Sequence, residues 1–172
     1  MKGEGGDAGS DSIWNRDIDE NPGAIFESLE QAGIYVTSRV NPDSIFENRE
    51  YRWLYYQDSK TGLWSFTDPY QSGPVGGVNL STPTTVAGKR ASGVIAGMGH
   101  THGNYSDRNY NVVAKNRDYW NSDQFSTGTT GDIGYMRGGG ANGKWNFFSL
   151  GTPSGSYLKW TPAGGVQPLT YP

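Results

Sequence analysis

Apolar side chains in this chain come in short runs that never sustain a helical period for long, and glycine, proline, serine and asparagine punctuate them. Glycine supplies 26 of the 172 residues, about twice its ordinary share of roughly 7%. Runs of four to seven apolar and aromatic residues between turn formers are the signature of short strands joined by tight turns. The pattern predicts an α/β (α+β) domain in which strand dominates: a mixed sheet flanked by short helices and long glycine-rich loops. A chain of this length buries a core without staples, so one domain over residues 21–172 is expected.

Residues 1–20 carry Gly-Gly-Asp-Ala-Gly-Ser-Asp-Ser and too little apolar content to repay ordering, and are read as a flexible leader or linker. Asn21-Pro22 then offers a helix start, with Ile25, Phe26, Leu29 and Ala32 on one stripe and Gly33 as the stop. Asn41-Pro42 predicts a further helical turn. Glu50 opens an aromatic run through Tyr56 that pairs, across a turn at 58–62, with residues 63–67 as a hairpin. Residues 69–91 read as a long loop with some extended structure. A strand ends at His102, residues 103–131 are polar and irregular, Asp132 starts one or two helical turns, and strands near 145–150 and 157–160 close the chain.

Composition removes several functional classes. Without cysteine there is no disulfide framework, thiolate metal site or cysteine nucleophile. Residues 61–172 hold 5 acidic and 8 basic side chains, against 12 and 6 in residues 1–60. That density falls far short of what phosphate neutralisation demands, so no nucleic acid partner is expected. No apolar stretch approaches a membrane span, and the N-terminal residues lack a signal-peptide pattern, which predicts a soluble chain. There is no H-E-x-x-H and no G-x-S-x-G.

The two histidines of the chain, His100 and His102, end the run Val94-Ile95-Ala96-Gly97-Met98-Gly99-His100-Thr101-His102. In an extended strand, side chains at i and i+2 share a face, so both imidazoles can converge on one ion. Imidazole suits zinc near neutral pH, and two histidines with one carboxylate leave a fourth tetrahedral position open to water. The carboxylate stays open at this point among Asp132, Asp123 and Asp107.

The order of a Glu opening a strand, a His-Thr-His, then Phe125-Ser126 and Gly131-Asp132-Ile133, resembles the JAMM/MPN-type metallopeptidases. With Leu150-Gly151-Thr152-Pro153-Ser154-Gly155, it is similar to a JAMM-like domain at the C-termini of bacterial Rhs-type polymorphic toxins, over about residues 22–162. The spacing departs from that family: His102 and Ser126 are 24 apart and Ser126 and Asp132 six apart, which residues 127–131 would bridge as a local insertion. The resemblance implies zinc held by His100, His102 and Asp132, Glu50 as general base and Ser126 helping to stabilise the oxyanion. Glu47 competes with Glu50, and Ser126 has the alternative of an ordinary turn residue. It further implies hydrolysis of a peptide or isopeptide bond in a peptide, protein or peptidoglycan substrate. The domain would be delivered into target cells by a secreted Rhs-type carrier and neutralised in the producer by a cognate immunity protein. Trp120, inside the polar loop, is a candidate groove residue, whereas Arg52 and Arg137 read as surface charges. The rival reading is a noncatalytic Gly/Tyr/Trp-rich module that binds a glycan or protein.

Overall fold

The computed structural model describes residues 23–71, 85–86, 89–90, 93–140 and 143–171, so the leader expected at 1–20 and most of the loop expected at 69–91 lie outside the described residues. The elements run α1 (Leu29–Glu47), β1 (Tyr51–Asp58), β2 (Trp64–Phe66), β3 (Tyr70–Gln71), β4 (Thr85–Val86), β5 (Lys89–Arg90), β6 (Gly93–Thr101), α2 (Asp132–Arg137), β7 (Phe147–Gly151), β8 (Tyr157–Thr161) and β9 (Gly165–Pro168). The main sheet is mixed and seven-stranded, in the order β2-β1-β6-β7-β8-β9 with β3 also on β1. Strand β6 lies antiparallel to β1 and parallel to β7, and the parallel pair is connected through the long polar segment and α2. This is an α+β fold. No helix among the described residues is long and apolar enough to cross a membrane.

The helical region corrects the sequence reading. The two short helices expected from 22 to 33 and from 41 form one helix of 19 residues, Leu29–Glu47. Its N-cap is Ser28, whose side chain accepts from the Gln31 N–H, rather than Asn21. Gly33 does not stop the helix because its bare Cα faces the sheet: a Cβ there would lie 3.2 Å from Leu169 and 3.3 Å from the Tyr55 hydroxyl. Pro42 removes one helical hydrogen bond, yet the helix passes through it because Val36, Val40, Asn41 and Ser44 are buried around it. Packing outweighs propensity here. Asn41, expected to open a helical turn, instead lies inside α1 and donates from Nδ2 to the Thr152 carbonyl at 3.0 Å.

The hairpin forms as expected, with Tyr55 opposite Phe66 and the Asp58 carboxylate accepting from the Lys60 and Thr61 N–H groups at the turn. Strand β9 is absent from the sequence reading. Its Gly165-Val166-Gln167-Pro168 has one apolar side chain and carries no readable period, and it forms at the sheet edge, where a proline costs no ladder bond.

Alternation along β1 and β7 gives the sheet two apolar faces. On one, Trp53, Tyr55, Phe66 and Phe147 pack beneath Ala32, Val36 and Val40 of α1. On the other, Leu54, Phe148, Leu150 and Trp160 pack with Phe125 and with Met136 of α2. Strand β6 obeys the same alternation. The Gly99 Cα sits against the Trp53 indole, 2.3 Å from where a Cβ would fall, and the Thr101 hydroxyl meets Ser44 of α1 at 2.6 Å. Met98 and His100 therefore point to the opposite face, toward α2. Burial of the α1 face thus decides which way the first histidine looks.

Candidate metal centre

His100 lies in the last turn of the pleat of β6, and His102 follows one residue beyond the strand, its N–H still bonded to the Gly151 carbonyl of the parallel neighbour. That bond extends the strand geometry far enough to keep both rings on one side. The two Nε2 atoms are 3.2 Å apart, and each lies 3.3 Å from an oxygen of Asp132, His100 from Oδ1 and His102 from Oδ2. A tetrahedral ion with bonds of about 2.0 Å has ligand-to-ligand edges of about 3.3 Å, so the donor spacing fits one ion. His100, His102 and Asp132 form a cluster able to hold a metal.

The outer contacts fit the same use. His102 Nδ1 is 3.0 Å from the Ser122 carbonyl, which can only accept, so Nδ1 keeps a proton and Nε2 is the nitrogen that presents a lone pair once the ring is neutral. Asp118 holds Ser122 in turn, accepting from its N–H at 2.6 Å and from its hydroxyl at 3.1 Å. His100 Nδ1 is buried with no hydrogen-bond partner among the described residues, which leaves Nε2 as the ring's outlet for a strong polar interaction. Asp132 stands at the first position of α2. Its Oδ2 accepts from both the N–H and the hydroxyl of Ser126 at 2.8 Å, and its own N–H donates to Ser126 Oγ at 2.8 Å. The loop between Ser126 and Asp132 thus closes on itself and delivers the carboxylate despite the six-residue spacing. Because such outer partners typically support metal affinity by 10- to 100-fold, Ser126→Ala is expected to weaken metal binding by about that factor. A chelator-competition titration checks it.

Proximity sets the charge states. In the metal-free protein, burial alone pulls His102 down, but the hydrogen bond and charge of Asp132, the charge of Glu50 and the Ser122 carbonyl outweigh it and push its pKa to about 8. Burial likewise pushes Asp132 up, but the adjacent imidazoles hold it well below the usual carboxylate range. An arriving cation must displace the His102 proton at any pH below about 8. Apparent affinity is expected to fall about tenfold per unit as pH drops below that value, and titrations between pH 6 and 9 measure it. A flat profile would mean that His102 Nε2 is not a ligand.

The alternatives from the sequence are engaged elsewhere. Asp123 accepts from Tyr105 and the Ser154 N–H and pairs with Lys115 at 2.6 Å, and Asp107 closes a turn onto Asn109 and Asn111. Glu47 accepts from the Tyr51 hydroxyl at 2.6 Å and from Gln71 at 2.9 Å. Glu50, by contrast, lines the cleft of about 600 Å³ that contains His100, His102 and Asp132. Trp120 lies at the same cleft, 42% exposed, with its ring stacked on Tyr110 at 5.2 Å and 5°. Tyr110 adopts a left-handed φ of 63°, a strained conformation for a bulky residue.

Arg137 is exposed, as expected, but Arg52 is not a surface charge: it is 4% exposed and lines the cleft. Register explains the difference, since Arg52 is paired directly with His100 across β1 and β6 and shares its face. The sequence reading missed this residue, together with Ser122 and Tyr110. Its one available signal was that Arg52 has the parity of Glu50 and Leu54 in an alternating run. Compared with known protein families, curated proteins and solved structures, the chain matches none of them.

Proposed function

We propose that this domain is a zinc-dependent hydrolase of peptide or isopeptide bonds that acts as a toxin. The observation that carries the reading is the convergence of two imidazoles and a carboxylate, at metal-ligand spacing, on a cleft whose wall includes a second carboxylate, Glu50. His100, His102 and Asp132 would hold the ion, which when bound supplies Lewis acidity toward water and an amide carbonyl. Glu50 accepts the proton of the attacking water as the C–O bond forms, then returns it to the amide nitrogen as the C–N bond breaks. Ser126 acts through Asp132, since its hydroxyl proton already bonds that carboxylate. The Tyr110–Trp120 pair supplies a flat aromatic wall against which a substrate segment can lie.

The JAMM-like resemblance extends the proposal to delivery by a secreted Rhs-type carrier, to a cognate immunity protein and to a protein or peptidoglycan target. Metal analysis of the purified chain tests the core of the reading, with one zinc per chain as the expected result. Absence of stoichiometric metal would favour the noncatalytic module, for which the exposed aromatic pair is the supporting feature. Directing the chain to cytoplasm or periplasm of a bacterial host distinguishes the targets, because killing confined to the periplasm excludes a cytosolic substrate.

A further inference from the structure

Arg52 has no role in the chemistry above, yet it occupies one of the most costly positions in the molecule. Its guanidinium is buried, and its Nη2 has no hydrogen-bond partner among the described residues. None of the ion pairs among the described residues includes it. Burial pulls its pKa down from the ordinary arginine value, while the charge of Glu50 and the phenols of Tyr70 and Tyr135 act in the opposite direction. A buried cation is ordinarily compensated by a bonded partner. Among the described residues no such partner is present, and the cleft is the side from which a compensating anion can reach it. Arg52 lines it directly beside the cluster, as the cross-strand neighbour of His100. Guanidinium is also the side chain whose planar fork best matches a carboxylate.

We infer that Arg52 is a specificity residue that receives a substrate carboxylate close to the scissile amide, an inference that rests on the hydrolase reading of the same site. Such a carboxylate comes from two sources with the same chemistry, the free C-terminus of a peptide or an acidic side chain beside the cleaved bond. A neutral substrate in its place leaves the guanidinium uncompensated and is disfavoured.

The test uses the full chain loaded with cobalt and three thiol probes: mercaptoacetyl-glycine, its amide, and mercaptoacetyl-glutamic acid α-amide. Thiolate ligation to the metal produces a charge-transfer absorption that reports binding without turnover. One of the two acids is expected to bind roughly 10- to 100-fold more tightly than the neutral amide, the worth of a charge-assisted hydrogen bond. Which acid it is identifies the source, terminal or side-chain. Arg52→Met should remove that preference while leaving the affinity for the neutral amide as it is, and Arg52→Lys should restore part of it. Equal affinity of all three probes for the unmodified chain, a comparison that needs no variant, would overturn the inference with the metal site intact. An equal loss for charged and neutral probes in Arg52→Met would also overturn it, showing that Arg52 only shapes the wall. No thiolate band with any probe would remove the metal reading itself.

Discussion

Replacing His100 by alanine, or Asp132 by asparagine, is expected to lower zinc affinity by about two to three orders of magnitude. Four-ligand zinc sites bind with roughly 10–16 kcal/mol, so each ligand is worth on the order of 3 kcal/mol. A site with three protein donors has no spare ligand to compensate. The asparagine variant is informative because it keeps the shape of Asp132 and can still accept from the Ser126 N–H, which bonds Oδ2 at 2.8 Å. It loses the charge that the ion requires. Zinc titration against a competing chelator gives the affinity, and far-UV circular dichroism confirms that the sheet and α1 persist. Metal retained at full affinity in both variants would place the ion elsewhere. Asp123→Asn serves as the contrast, since that carboxylate is occupied by Tyr105, Ser154 and Lys115 and should leave zinc binding unchanged.

The second large effect is expected at Glu50. Glutamine is nearly isosteric and cannot take a proton from water, so Glu50→Gln should retain the metal and lose hydrolysis by about 10²- to 10⁴-fold, the usual worth of a general base. Toxicity on expression should disappear with it. Glu47→Gln should leave activity in place, because the Glu47 carboxylate is bonded to Tyr51 and Gln71 and is not among the residues lining the cleft. Normal activity in Glu50→Gln with zinc bound would end the assignment of Glu50 as base. Loss of both metal and activity would instead make Glu50 part of the ion's electrostatic setting, consistent with its charge acting on His102.

The parts of the site that were legible in the residue order are those set by local geometry. An H-x-H in an extended run must place both imidazoles on one face, and β6 does so. Asp132 at a helix start was legible for the same reason, as was the hairpin of β1 and β2. The single helix was not legible because Gly33 is a local stop signal and Asn41-Pro42 a local start signal, both overridden by burial of α1 against a sheet assembled from distant strands. Arg52 was misread because a lone charged residue in an aromatic run looks solvated until its cross-strand partner is known.

Residue order by itself therefore determined the pair of nitrogens and the alternation that aims them, since both follow from the period of a strand. It also determined a short list of acids, but not the choice among them. That choice was made by tertiary structure: Asp132 lies 30 residues beyond His102, and it reaches the imidazoles because α2 packs on the face of the sheet that His100 shares. Register likewise decided that Arg52 lines the cleft, because a shift of one residue between β1 and β6 would turn it to the other side.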